Sequence, residues 1–278
     1  MQKRNSILCP NCRKLISADE SMCPYCNILR PGSKFKNNAV ITGLSDPKKL
    51  AMAIIWLNVG MYFLSLVFSG KEIGFTMNPF GALSPSGDSI ITLGATGVIP
   101  INHDGKWWTL LSANYLHGSL LHIFFNMMMF WQLVPMVIRE YGTHRMISIY
   151  TIGGIAGYVF SYLSGTYYSL GASASVCALV GCLLYFGKSR GGIYGQALYK
   201  QLSGWVISLV IFGILIPRID NWAHGGGIIA GIALGWLLGY EEKIREKMFH
   251  KTLGTVCAVS TICVLIWAVT SGVWVMLQ

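Results

Sequence analysis

The chain has 278 residues, of which 53% are hydrophobic and only 12% charged, with a mean hydropathy of +0.53 and a net charge of +10. So apolar and sparsely charged a composition excludes a soluble domain of this length and indicates a polytopic membrane protein. The positive balance does not imply nucleic acid: eighteen of the 21 Lys and Arg lie before the first apolar span or after the second, fourth and sixth, and three lie on the other side.

The first 49 residues are polar, basic and cysteine-bearing and do not read as a cleavable signal peptide. Cys9-Pro10-Asn11-Cys12 and Cys23-Pro24-Tyr25-Cys26, ten residues apart, form two CPxC knuckles. Each can turn both thiolates toward one tetrahedral cation, and on the reducing side of a membrane this favours a structural zinc over disulfides. A redox CxxC pair and an iron site are the alternatives. Residues 1–30 therefore read as a zinc ribbon too small for much of a core, so the metal supplies most of its folding free energy. Such a ribbon suits recruitment of a cytoplasmic partner, sensing of metal or oxidant, or a stable cap. Cys177, Cys182, Cys257 and Cys263 sit in apolar runs without ligand spacing and read as packing residues. Residues 31–49 read as a basic linker, with Asp46-Pro47 as cap and first turn of the helix that follows.

Seven apolar spans follow, near 50–69, 119–138, 146–166, 173–187, 203–217, 222–240 and 253–274. Segments of about 20 residues cross roughly 30 Å of hydrocarbon as helix. The fourth and fifth are short, which predicts helices buried inside the bundle. Residues 50–278 thus form an all-α, seven-helix membrane domain. The charge asymmetry is the positive-inside pattern, placing the N-terminus in the cytoplasm and the C-terminus outside. A compact chain without a targeting segment suits a bacterial inner membrane. The outer loop between spans one and two, about fifty residues rich in Gly, Pro and Ser (Pro79, Gly81, Ser84, Pro85), ends in Trp107-Trp108 and shows no evident secondary structure. Loops of that kind are functional or disordered, and the tryptophans suit the headgroup region.

Span two opens His117-Gly118-Ser119-Leu120-Leu121-His122, with Asn126 one turn after His122 on the same face. Polar side chains inside hydrocarbon mark function or interhelical hydrogen bonds. Span four opens Gly171-Ala172-Ser173-Ala174-Ser175, placing a hydroxyl at the positive end of a helix dipole. Span six opens Asp220-Asn221-Trp222-Ala223-His224, and Gly227, Gly231 and Gly235 form an i, i+4, i+8 groove that admits a neighbouring helix to backbone contact.

Spans two, four and six all run inward, so their polar openings share one depth. The set reads as a nucleophile, Ser173, a general base, His224, and oxyanion donors, His122, Asn126 and the Ser173 N–H. No carboxylate lies deep in a span, which favours a Ser-His dyad over a triad, and Asp220 or Asn221 reads as a helix cap. Ser175, about 200° further around the helix, should face away from Ser173. Cys177, at i+4, should share its face and pack toward His224. This chemistry needs no cofactor.

The set His117, His122 and Asn126, the Gly171-Ala172-Ser173-Ala174 opening, and Ala223-His224 leading Gly227, Gly231 and Gly235 resembles the rhomboid intramembrane serine proteases over about residues 50–240. The resemblance implies a rhomboid-like six-helix core with span seven appended, and a Ser173/His224 dyad with an oxyanion site at His122 and Asn126. It also gives His117, Gly171 and Cys177 supporting positions, and implies a first loop lying half in the outer leaflet. Substrates would be single-span membrane proteins cut near the outer end of an unstable helix. Three departures stand out: GASA replaces the usual GxSG, Trp108-Thr109 replaces Trp-Arg, and Cys177 stands where an aromatic often stacks on the histidine. The alternative is an inactive relative that binds or escorts client transmembrane segments. A channel or transporter would need repeats and polar residues threading the bilayer, and neither is evident.

Overall fold

The computed structural model describes residues 6–10, 12, 14–33, 47–74, 81–216 and 219–277. Two compact units divide the chain, residues 1–53 and 54–278. In the first, strands β1 (Ser6–Leu8) and β2 (Leu15–Ser17) pair antiparallel with Ile7 opposite Ile16, and an isolated bridge joins Met22 to Leu29. A knuckle sits at each turn: the Cys9 N–H donates to the Lys14 carbonyl and the Cys23 N–H to the Ile28 carbonyl, both at 2.9 Å. The small core is Cys9, Cys23 and Ile16 with Ile7, Cys12, Cys26 and Ile28 around them, so the cysteines are themselves its centre. Most of the expected linker, including Asp46, lies outside the described residues.

Seven long helices correspond to the seven expected spans: α1 (Pro47–Ser69), α2 (Leu120–Tyr141), α3 (Thr143–Leu163), α4 (Ser173–Arg190), α5 (Gly192–Leu215), α6 (Asn221–Leu238) and α7 (Met248–Met276). Five of them, all but α4 and α6, are long and apolar enough to cross a membrane. Those two have 18 residues each and polar or glycine-rich first turns; α4 is buried along most of its length, while α6 leaves Ile229, Trp236 and Leu237 exposed on one face. The expectation of a short, buried fifth span is corrected. α5 begins at Gly192, ahead of the apolar run, carries Gln196, Lys200 and Gln201 on its early turns, runs 24 residues, and leaves Ile207, Val210, Ile214 and Leu215 exposed. The expected structureless loop is also corrected, since it contains helical turns at Gly87–Thr92, Val98–Asn102, Thr109–Ser112 and Ala113–Tyr115.

α4 is buried along most of its length between α3 and α6. The glycine groove does what its spacing predicts. A Cβ at Gly227 would lie 2.3 Å from the Ala174 carbonyl oxygen, one at Gly231 2.0 Å from the Ala178 oxygen, and one at Gly235 3.1 Å from the Cys182 Cα. Partners four residues apart on α4 thus meet glycines four residues apart on α6, and the backbones touch. α3 closes the other side, where a Cβ at Gly153 would fall 2.2 Å from the Ala178 Cβ. Without a hydrophobic force between helices in lipid, such close van der Waals packing supplies the association.

At the far end of the bundle the Tyr141 hydroxyl donates to the Cys182 carbonyl at 2.7 Å, and Tyr141, Phe186 and Tyr240 meet edge to face. Arg145, counted in the sequence among the topogenic charges, is fully buried there. Its guanidinium donates to the carbonyls of Leu238, Gly239 and Ile244 and pairs with Glu241 at 2.6 Å, capping the end of α6. Glu246 caps α3 in return, accepting the N–H groups of His144 (2.8 Å) and Arg145 (3.1 Å). Gly142 joins α2 to α3 at φ +87, where a Cβ would strike the Glu246 carboxylate.

Candidate active site

Ser173 is the first residue of α4. The earliest backbone bond of that helix runs from the Val176 N–H to the Ala172 carbonyl at 2.9 Å, so the N–H groups of Ser173, Ala174 and Ser175 have no backbone acceptor among the described residues. They point out of the helix mouth with the positive end of the dipole. The approach to the serine is fixed from three sides: the Gly171 N–H donates to the Ala113 carbonyl (2.9 Å), the Gly171 carbonyl accepts from the Tyr158 hydroxyl (2.6 Å), and the Ala172 N–H reaches His117 Nε2 (3.5 Å). Gly171 holds φ +127, a region that excludes a side chain here. A Cβ there would sit 2.7 Å from His122 Nε2 and 3.6 Å from Ser173 Oγ, so those two atoms lie no more than the sum of these distances apart, across a gap the missing side chain leaves open.

His122 stands in the first turn of α2, whose cap is Ser119, the hydroxyl accepting the His122 N–H at 3.3 Å. The Gly118 N–H donates to His122 Nδ1 at 3.3 Å. That bond makes Nδ1 the acceptor and assigns the proton of the neutral ring to Nε2, the nitrogen facing Gly171. His117 stacks edge to face on His122 with centroids 5.1 Å apart. Asn126 donates one amide N–H to the His122 carbonyl at 2.8 Å and keeps the other.

His224 lies in the first turn of α6, nine-tenths buried, with Nδ1 unpartnered among the described residues. Asp220 caps that helix, accepting the Ala223 N–H at 2.9 Å on one oxygen and the hydroxyls of Ser161 and Ser169 on the other. The capping expectation for Asp220 therefore holds, while Asn221 donates to the Gly213 carbonyl and ties α5 to α6. Ala174, which follows Ser173, and Ala223, which precedes His224, share one buried cluster, and the Ala174 carbonyl meets Gly227 three residues after His224, yet no hydrogen bond joins the Ser173 and His224 side chains.

Ser175 faces away as expected and donates to Asn114 Oδ1 at 2.7 Å. Cys177 packs on Gly227, one turn beyond His224. The extra methyl of Ala174, the GASA departure, is met by Gly157 of α3, where a Cβ would lie 3.0 Å away. Gly157, Tyr158 and Asn114 were not singled out from the sequence. The Gly153-Gly154-x-x-Gly157 spacing was the available signal for the first, but nothing marked a tyrosine and an asparagine whose partners are backbone and a distant serine.

In the N-terminal unit the four sulfurs of Cys9, Cys12, Cys23 and Cys26 lie within 4.8 Å of one another. Cys9 and Cys26 are 3.6 Å apart and Cys12 and Cys23 3.7 Å. Tetrahedral thiolates at about 2.3 Å from zinc stand about 3.8 Å apart, so these residues fit one such ion.

A family model, the rhomboid domain, matches residues 104–241, which include all of the membrane-embedded candidate residues and none of the four clustered cysteines. The chain is similar to the rhomboid protease GluP of Bacillus subtilis (strain 168), 31% identical over 76% of this chain and 39% of that protein. It is also similar to RHOMBOID-like protein 4 of Arabidopsis thaliana, 32% identical over 56% of this chain and 40% of that protein. RHOMBOID-like protein 1 of the same plant is 25% identical over 82% of this chain and 67% of that protein. The chain thus spans about two-fifths of the first two of these relatives.

Proposed function

The chain belongs to the rhomboid family, and on that premise we propose that it is an intramembrane serine endopeptidase cutting single-span membrane proteins by a Ser173/His224 dyad. The observation that carries the reading is the gap at Gly171. There the Ser173 hydroxyl and the Nε2–H of His122 face one space, beside a helix mouth whose first N–H groups have no backbone acceptor among the described residues.

In the reaction, a substrate helix unwinds at the mouth of α4. His224 takes the Ser173 proton as Oγ attacks the scissile carbonyl, and the oxyanion forms in the gap, facing the Ser173 N–H, His122 and the free N–H of Asn126. Each donor contributes roughly 2–4 kcal/mol. His224 then gives its proton to the leaving amine, and water attacks the acyl ester with the same histidine as base. His117 and Gly171 support the site by holding its backbone. The site end of the bundle faces the extracytoplasmic side of the inner membrane, with the N-terminus cytoplasmic. Residues 1–30 hold a structural zinc on Cys9, Cys12, Cys23 and Cys26, 31–49 link them to the membrane, and the ribbon is free to engage a cytoplasmic partner.

Cleavage of a membrane-tethered reporter by the purified protein tests this. It should vanish in Ser173→Ala and in His224→Ala, and undiminished cleavage in either removes the dyad. The open Ser173–His224 pair favours a second reading, a rhomboid-like escort that binds client helices without cutting them. Catalytic hydrogen bonds often close only with substrate bound. Fluorophosphonate labelling of Ser173 that is lost in His224→Ala separates the two, since an escort has no activated serine.

A further inference from the structure

A second polar cluster lies in the bundle interior, away from the serine. Asn58 of α1, Tyr150 of α3 and Thr261 of α7 are buried, and Asn58 Oδ1, Tyr150 Oη and Thr261 Oγ1 each lack a hydrogen-bond partner among the described residues. They are not scattered. The Asn58 side chain is the polar neighbour of the Tyr150 hydroxyl, Thr261 is the polar neighbour of the Tyr115 hydroxyl, and the rings of Tyr115 and Tyr150 meet edge to face 6.1 Å apart. Two polar pairs, drawn from three helices and the segment 113–117, thus flank one aromatic contact in the apolar interior.

A buried polar atom without a partner is destabilising, and natural interiors satisfy such atoms with ordered water where about two to four of them converge. We propose that Asn58, Tyr150, Thr261 and Tyr115 enclose a bound-water site that fastens α1, α3 and α7 to the segment 113–117. That segment is the scaffold of the proposed catalytic site. The Ala113 carbonyl holds the Gly171 N–H, Asn114 holds the Ser175 hydroxyl, and His117 holds the Ala172 N–H. Tyr115 is the residue among them that looks the other way, toward α7. The seventh helix, an appendage by its sequence, is then a positioning element for the serine loop. Thr261 acts through Tyr115 rather than on substrate, and this functional part rests on the endopeptidase reading.

The test uses full-length protein in micelles. In a Ser173→Ala background, Tyr150→Phe and Thr261→Val each remove one hydroxyl with almost no change of shape. A shared water makes each variant lower the thermal unfolding midpoint by about 2–4 °C, with the double variant losing less than the two together. Thr261→Ser keeps the midpoint. Dry, orphaned hydroxyls give the opposite sign, because deleting an unsatisfied group relieves its cost; an unchanged or raised midpoint overturns the proposal. In active protein, Thr261→Val should lower kcat about five- to tenfold at unchanged KM, with Thr261→Ser restoring it, because a shift of the serine loop misplaces the nucleophile without removing substrate contacts. A kcat within twofold of wild type also overturns it. The unfolding measurement is made on inactive protein, so it stands even if no proteolysis is found.

Discussion

The register between α4 and α6 gives a prediction with a magnitude. Gly231 lies two turns below His224 and touches neither it nor Ser173. A methyl there would sit 2.0 Å from the Ala178 carbonyl oxygen and 2.7 Å from the Ala178 Cα, and both are backbone that no rotamer change can move. Ordinary contact needs about 3.4 Å, so Gly231→Ala must part the helices by about 1.4 Å, at a cost of about 1–3 kcal/mol for overpacking. Because α6 carries His224 and α4 carries Ser173, the same displacement reaches the proposed dyad, and about 1 Å there lowers turnover by up to about 100-fold. Gly225 is the control, since a Cβ there meets nothing within 4 Å. Gly225→Ala should keep activity and gain up to about 1 kcal/mol from helix propensity. Reporter cleavage and thermal unfolding of both variants decide the matter. Full activity in Gly231→Ala would refute the claim that backbone contact in the groove sets the distance between serine and histidine.

Ser175→Ala separates the two neighbouring serines: it leaves Asn114 Oδ1 buried without its donor, so stability falls by about 1–3 kcal/mol while fluorophosphonate labelling of Ser173 persists. Asp220→Asn keeps the helix cap, and turnover should stay within about tenfold of wild type; a loss near 10⁴, the scale of a triad acid, would make Asp220 the histidine's partner. Burial pushes the Glu246 carboxyl up, but the His144 ring and the N–H groups of Arg145 and His144 outweigh it and hold it below the ordinary value of 4.5. A depressed folded value means this stabilisation is present above about pH 4.5 and lost as pH falls through the lowered value. The acid side of the unfolding-midpoint profile should therefore flatten in Glu246→Gln. Metal analysis should find about one zinc per chain, lost in Cys23→Ser.

Much of the bundle is legible because lipid imposes one rule, that the backbone satisfy itself inside helices, and the seven apolar runs of the sequence are the seven long helices. The rule fails at α5, whose polar first turns hide eleven residues of helix from a hydropathy reading, and in the first loop, where short turns carry no apolar period. The glycines of α6 announce a close neighbour by their spacing, but not which one; Ala174, Ala178 and Cys182 are ordinary letters until the two helices are laid together. Arg145 is the instructive case. Its place among the basic residues after span two suits a topological count, and its use, capping α6 across nearly a hundred residues of sequence, depends on carbonyls that no pattern names.

Ser173 lies on the deeply buried α4 and His224 on the inward side of α6, and the reason lies in how His224 is held. Its Nδ1 has no acceptor among the described residues, and Asp220, the nearest carboxylate in sequence, is committed to the Ala223 N–H and to the hydroxyls of Ser161 and Ser169. A histidine without an orienting acceptor can be aimed only by packing. Packing tight enough for that requires α6 to lie in backbone contact on two sides, which glycine permits at Gly227 and Gly231 against α4, while Gly157 of α3 receives Ala174 and the Ala223 carbonyl. α6 turns its glycine face to α4 and α3 and leaves Trp222, Ile229, Trp236 and Leu237 exposed on the opposite face, while α4 is buried along most of its length. Asp220 then serves the histidine by fixing where α6 begins, an effect on position that a neutral cap reproduces.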